Sequence, residues 1–174
     1  MARTLILVRH GKAEKAAAGQ ADQDRSLTPA GMAALERSLP RTLSLLEDAD
    51  ANADEPAAPF LVWTSPAVRT RQTCERVVQA LEANGLSCTK PEEHESLWYQ
   101  DPVTFLDELA NTPADARIVA VGHIPFMEGM LERLTGADIA FTPGGIAAVE
   151  LADDPHGEGA GRLLWFVQGP RVKK

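Results

Sequence analysis

Cysteine is scarce in this sequence, and long apolar runs and a basic excess are missing altogether. The two cysteines, Cys74 and Cys88, have no CxxC spacing. They form neither a disulfide framework nor a thiolate metal site. Both read as small core residues, Cys74 on the buried side of a helix and Cys88 beside a strand. No apolar run approaches the ~20 residues that a membrane-spanning helix requires. Met1-Ala2-Arg3-Thr4 leads into an apolar stretch, Leu5 to Val8, that is too short for a signal peptide and is closed by Arg9. A cytoplasmic protein is therefore expected. Against 25 Asp and Glu stand 17 Lys and Arg, a formal net charge of −8. Nucleic-acid binding needs a basic footprint. Neither a membrane nor a nucleic acid is an expected partner.

What is present is an ordinary globular composition, 44% hydrophobic and 24% charged over 174 residues. That length suits one domain spanning 1–174. The charge is unevenly distributed. Arg9, Lys12, Arg25, Arg69 and Arg71 accompany the polar signatures described below, while acidic residues crowd between Glu47 and Glu55. A locally positive site on an acidic background is the expectation.

Hydrophobic patterning places a buried strand at Thr4 to Val8, ending in Arg9-His10-Gly11. Residues 11–26 have no period and read as a loop. Thr28 suits a helix N-cap and Pro29 the first helical position, with Leu27 and Met32 placed for a hydrophobic staple. Met32, Leu35, Leu39, Leu43 and Leu46 form the apolar face, and Pro40 is expected to kink or split that helix. A solvated connection at 48–59 precedes a second strand, Phe60 to Trp63, which ends in Thr64-Ser65-Pro66. A long helix follows, with Val77, Val78 and Leu81 on its buried face and Gly85 as its stop. Further expectations are a brief strand near 87–90, a helix at 103–110, a strand at Arg117 to Val121 ending in Gly122-His123, and a helix at about 126–134. Two last strands, 146–151 and 162–167, look like an edge hairpin. Strands alternating with helices imply an α/β three-layer sandwich, a mainly parallel central sheet flanked by helices.

Three strands thus end in unusual polar residues: Arg9-His10, Ser65 leading to Arg69, and His123. In open α/β sheets ligands bind beyond the carboxyl ends of the strands, so these signatures converge. Arginine offers a planar fork of permanently charged donors suited to phosphate. Neighbouring cations keep an imidazole neutral, and neutral imidazole is a nucleophile. Such a pocket can hold a phosphoryl group, attack it, and stabilise charge on its equatorial oxygens. No cluster of metal ligands is visible, and the chemistry needs neither metal nor cofactor.

Leu7-Val8-Arg9-His10-Gly11 resembles the signature of the histidine phosphatase superfamily, which includes phosphoglycerate mutases and acid phosphatases. The resemblance continues through Arg25-Ser26-Leu27-Thr28-Pro29-Ala30-Gly31, Ser65-Pro66-Ala67-Val68-Arg69-Thr70-Arg71-Gln72-Thr73 and Val121-Gly122-His123-Ile124-Pro125. The short chain and the motif order look most like the SixA-type phosphohistidine phosphatases. The resemblance implies a phosphoglycerate mutase-like fold without a cap domain, His10 as nucleophile, Arg9 and Arg69 gripping the phosphoryl oxygens, and His123 completing the pocket. Arg25, in a recurrent motif next to the site, takes a secondary substrate-binding or structural role; Gly11 and Lys12 are further substrate-binding candidates, Lys12 as positive charge at the rim that the resemblance does not compel.

Two departures from the family pattern matter. Ile124 stands where many members carry Asn, which makes the pocket wall less polar. No clear motif marks the Glu or Asp that protonates a leaving oxygen, a group worth ~10²–10⁴-fold for an ester. Glu95 lies in about the right region as a candidate acid, but reads rather more as a surface carboxylate. Phosphohistidine has a better leaving group, so the missing motif favours a phosphohistidine-bearing protein as substrate and partner. A small phosphate ester, handled as a phosphomonoesterase or mutase, is the alternative, and a non-catalytic phosphoprotein-binding module is the alternative of another class. A monomer or weak dimer is expected. His94 and His156 read as surface residues, Trp98 and Tyr99 as cover for a core edge, and Gly144-Gly145 as a turn.

Overall fold

A computed structural model describes residues 2–49 and 57–172. Much of the acidic connection expected at 48–59 lies outside the described residues. A six-stranded sheet in the order β3-β2-β4-β1-β5-β6 forms the middle layer. Its strands are β1 (Arg3–Arg9), β2 (Leu61–Thr64), β3 (Glu92–Glu93), β4 (Arg117–Gly122), β5 (Ile146–Leu151) and β6 (Gly161–Val167). β1 to β4 run parallel, whereas β5 is antiparallel to β1, and β6 to β5. The expected edge hairpin is therefore present. The helices are α1 (Pro29–Leu43), α2 (Val68–Ala83), α3 (Glu95–Trp98), α4 (Pro102–Ala110) and α5 (Phe126–Thr135).

Strand alternation sorts the core into two layers. Leu5 and Leu7 of β1, Ile118 and Ala120 of β4, and Ala147 and Val149 of β5 pack on one face with α4 and α5 residues such as Phe105 and Leu131. Ile6, Val8, Val119, Val121, Ile146 and Ala148 point the other way and meet Leu35, Leu39 and Leu43 of α1 and Val77 and Leu81 of α2. Burial on both faces explains why Leu5–Val8 is unbroken aliphatic rather than alternating.

Helix α1 starts as the sequence leads one to expect. The Thr28 side chain accepts the Gly31 N–H at 2.9 Å, and Pro29 occupies the first turn. Pro40, however, neither splits nor ends the helix, which runs on to Leu43. A proline inside a helix removes a backbone bond at a cost of ~3 kcal/mol. Here Leu39 and Leu43 on either side of it are fully buried against α2, and packing of an apolar face outweighs local propensity. Asn84 at the end of α2 also donates to the Pro40 carbonyl at 2.9 Å. The strand expected near 87–90 is reduced to a single bridge between Phe60 and Cys88, and pairing with β2 resumes at Glu92–Glu93. Cys74 and Cys88 are both free thiols, and burial pushes that of Cys74 up to about 12.

β2, β4 and β1 are neighbours and parallel, so their carboxyl ends form one edge of the sheet. The three polar signatures follow these strands and are brought together by that topology.

Candidate active site

At this edge a pocket of about 560 Å³ is lined by Arg9, His10, Gly11, Lys12, Ala13, Asp22, Arg25, Arg69, Trp98, Gln100, His123, Ile124 and Pro143. The neighbouring groove of about 930 Å³ beside α5 is larger but lacks such a convergence of histidines and arginines.

His10 leaves the sheet just after Arg9, the last residue of β1. Its backbone N–H donates to the Gly122 carbonyl at 3.0 Å, tying it to the end of β4. The Arg9 N–H donates to Gly145 O at 3.0 Å, and the Gly144 N–H is shared between the Arg9 and His10 carbonyls. The Gly144-Gly145 turn thus braces the loop that carries His10 from the β5 side. Gly11 packs closely on the core beneath: a Cβ there would lie 2.7 Å from Leu35 Cδ1 and force that side chain to shift. Its own N–H is held by Thr73 Oγ1 of α2 at 3.0 Å.

One contact fixes the His10 tautomer. Nδ1 lies 2.7 Å from the Gly11 carbonyl, which can only accept, so Nδ1 carries the proton and Nε2 keeps a free lone pair. Burial, reinforced by His123, Arg69 and Arg9 and only partly opposed by the Gly11 hydrogen bond, pushes the His10 pKa down to about 3. The ring is therefore neutral and nucleophilic at neutral pH.

His123 lies 5.4 Å from His10 between ring centroids and is only 5% exposed. Its Nδ1 faces Arg69 Nη2 at 3.4 Å, and its Nε2 meets Ser65 Oγ at 2.8 Å. Guanidinium cannot accept, so Nδ1 accepts and Nε2–H donates to the hydroxyl that ends β2. Burial and then Arg69 lower its pKa to about 4. In the ligand-free protein both rings should stay neutral on acidification to about pH 5, well below the unperturbed imidazole value of ~6.5. An NMR titration checks this: imidazole midpoints near 6.5 for His10 and His123 would contradict the burial and charge seen here.

Arg69 sits in the first turn of α2, 4% exposed, with its guanidinium 5.9 Å from the Trp98 ring centre. The Nε atoms of both Arg9 and Arg69 are buried without a hydrogen-bond partner. Arg9 Nη1 donates to Phe141 O at 2.6 Å. One buried and one half-buried guanidinium, beside two neutral imidazoles, suit a tetrahedral oxyanion.

The sequence did not point to Asp22. It lies in a short 3-10 turn, Asp22–Asp24, inside the 11–26 loop, where no periodicity or motif singles it out. Its carboxylate bridges two arginines: Oδ2 accepts from Arg69 Nη2 at 2.9 Å, and Oδ1 from Arg25 Nε at 2.8 Å. Burial acts to raise its pKa, but the hydrogen bonds from Arg69 and then Arg25 outweigh that, and the group is held below the usual carboxylate range.

Arg25 and Lys12 also line the pocket, Lys12 at the exposed rim. Arg71 is exposed and lies 3.8 Å from Glu93, outside the lining. Glu95 is exposed on the first residue of α3 and is not among the lining residues. Trp98 differs from expectation: it stands edge-on to His123 at 5.5 Å and forms part of the wall. Gln100 next to it has φ 53°, a left-handed backbone, and its Oε1 caps the Phe126 N–H at the start of α5. His94 is no surface residue either. It stacks on Trp63 at 4.2 Å and pairs with Glu108 Oε2 at 3.2 Å, anchoring the segment that carries Trp98. His156 is exposed but bound to Asp154 and Asp107 at 2.6 and 2.8 Å, and those carboxylates raise its pKa. Among the described residues no group of three or more His, Cys, Asp or Glu side chains is arranged to hold a metal ion. No described helix is long and apolar enough to cross a membrane.

The family model of the histidine phosphatase superfamily (branch 1) matches residues 5–97. The structure resembles that of SixA from Agrobacterium tumefaciens, a protein provisionally named a phosphohistidine phosphatase, with a TM-score of 0.73 and 26% identity over 96% of this chain and 98% of that one. SixA from Nakamurella multipartitia, provisionally given the same activity, matches with a TM-score of 0.66 and 28% identity over 96% of each chain. The phosphoglycerate mutase of Plasmodium falciparum, 13% identical, shares the fold with a TM-score of 0.58 over 98% of this chain and 94% of that one. The comparison with curated protein sequences gives no match.

Proposed function

The chain belongs to the histidine phosphatase superfamily, and from that premise we propose that it removes phosphate from phosphohistidine on another protein through a phospho-His10 intermediate. Arg9 and Arg69 would grip the phosphoryl oxygens, His123 would complete the pocket, and Lys12, Arg25 and the Gly11 backbone would line the approach.

The chemistry proceeds in two displacements. His10 Nε2 attacks phosphorus while the leaving atom departs on the opposite side with its electron pair. The arginine forks stabilise the charge that spreads over the equatorial oxygens. Phospho-His10 keeps its Nδ1 proton on the Gly11 carbonyl, which makes the enzyme's own imidazole a good leaving group. Water then bonds to phosphorus, the P–N bond breaks, its pair returns to Nε2, and the water's proton passes to solvent.

One observation carries the choice of substrate. Asp22 is the sole carboxylate lining the pocket among the described residues, and it is ionised between two arginines. An alkoxide leaving group needs a proton from an acid. This pocket holds no protonated carboxyl to give one, whereas imidazole departs without help at the leaving atom. SixA relatives provisionally named phosphohistidine phosphatases agree with that choice, and an uncapped, open pocket suits a side chain carried on a protein.

The test compares kcat/KM for a phosphohistidine protein, a phosphotyrosine peptide and sugar phosphates, because that ratio reports discrimination in the transition state. The phosphohistidine protein should lead by ~10²-fold or more, the lower range of what a missing acid costs an ester. A sugar phosphate leading by that margin would overturn the proposal, and tight phosphate binding with no turnover would favour a binding module.

A further inference from the structure

The position of Asp22 raises a question that its two salt bridges do not answer. A carboxylate at the mouth of a phosphoryl pocket repels the very dianion the arginines attract. We propose that Asp22 determines the specificity of this site by accepting the ring N–H of a protonated phosphoimidazole leaving group, so that phosphohistidine is selected over phosphate esters. The proposal rests on the phosphohistidine reading above and assigns a residue that selects for it.

The geometry supports this in three ways. His10 and His123 lie deep in the pocket, whereas the Asp22 side chain is 57% exposed. An in-line attack from the buried side sends the leaving group toward the mouth, where Asp22 stands. Asp22 is also held rigidly. Arg69 donates through Nη1 to its main-chain carbonyl at 2.7 Å and through Nη2 to Oδ2 at 2.9 Å, while Arg25 binds Oδ1. Each carboxylate oxygen still has acceptor capacity on its solvent side, because an ionised carboxylate offers about four lone-pair sites. Finally, the arrangement duplicates what the enzyme does for its own histidine. The Gly11 carbonyl holds the distal N–H of His10, and Asp22 would hold the distal N–H of the substrate ring.

The proton and electron balance is simple. In phosphohistidine one ring nitrogen carries the phosphoryl group and the other takes a proton. When His10 Nε2 bonds to phosphorus, the substrate P–N bond breaks and its pair returns to the ring nitrogen. The product is neutral imidazole, with its proton still on the nitrogen facing Asp22. No proton has to reach the leaving atom. A phosphate ester gains nothing from the same contact: its departing oxygen develops negative charge toward an ionised carboxylate. The titratable and charged groups around Asp22 are Arg25 on its own loop, Arg69 of α2 and the neutral His123 after β4, with Lys12 at the rim. The arginines keep Asp22 ionised, so it acts as an acceptor and not as an acid.

Asp22→Asn keeps an oxygen for the arginines and removes the charge. With phosphoimidazole or a phosphohistidine protein its kcat/KM should fall by ~10–100-fold, the scale of a hydrogen bond to a charged group. With p-nitrophenyl phosphate, which shares only the loss from weakened Arg69 and Arg25 anchoring, the fall should be at least tenfold smaller. The alkaline limb of kcat on phosphoimidazole should move to lower pH, since kcat reports groups in the bound complex and the carboxylate holds the substrate ring protonated. Asp22→Glu keeps the charge and should retain the preference. Equal losses on both substrate classes, with no movement of the alkaline limb, would reduce Asp22 to a support for Arg69 and overturn its assignment while leaving the phosphohistidine reading intact. A wild-type protein that turns over p-nitrophenyl phosphate but neither phosphoramidate would overturn that reading itself.

Discussion

Replacing His10 by Ala should lower kcat/KM by ~10⁴-fold or more, because the variant loses the nucleophile of both displacements. Binding of inorganic phosphate should persist, since Arg9, Arg69 and His123 stay in place. The fold should persist as well: the backbone bonds of residue 10 to Gly122 and Gly144 do not involve the imidazole. The change should leave a specific mark on stability. Folded His10 titrates at about 3, far below the unfolded value of ~6.5. As pH falls from 6.5 toward 3 the unfolded chain takes up a proton that the folded protein refuses, so this residue costs stability in acid and none above neutrality. The variant should therefore lose less Tm than the wild type between about pH 8 and pH 5. Measuring kcat/KM and Tm at both pH values checks the two statements together. Residual turnover within tenfold of wild type would remove His10 from the mechanism.

Arg69→Ala should be the next most damaging change, with kcat reduced by ~10²–10³-fold, the range found when one preorganised transition-state donor is removed. Arg69 is buried, lines the pocket, holds Asp22 by two bonds and lies against Trp98. It is also the main charge lowering the His123 pKa after burial, so an NMR titration of the variant should show the His123 midpoint moved up. Arg69→Lys keeps charge but loses the fork, and its activity should fall between the two. A variant that loses less than tenfold in kcat while His123 titrates unchanged would contradict this account of the pocket.

The layers of the fold were legible because their signals were local. Thr28-Pro29 announces a helix start, Leu5–Val8 a doubly buried strand, and Gly85 a helix end. The polar residues that close β1, β2 and β4 were legible as a set because parallel strands send such ends to one edge. Pro40 was misjudged because the burial of Leu39 and Leu43, a tertiary effect, overrides the propensity of one residue. Asp22 was invisible for the opposite reason. Its role comes from two arginines, one three residues away and one on α2, and a loop without periodicity carries no sign of the second. Trp98 and His94 were misplaced because an aromatic ring beside a loop reads alike whether it covers a core or walls a pocket. Glu95 drew attention by its position in sequence, but a first-turn residue of α3 points where its helix sends it, and that is into solvent.

The central claim is that His10 Nε2 carries the phosphoryl group between substrate and water. Rapid-quench trapping with a phosphohistidine protein, followed by alkaline work-up and site-resolved mass spectrometry with phosphorus NMR, tests it directly. The account predicts acid-labile phosphate on His10 alone, bonded to Nε2 because the Gly11 carbonyl occupies the Nδ1 proton. Phosphate on Nδ1, on another residue, or release without any trapped phosphoenzyme in wild type and Asp22→Asn alike would contradict it.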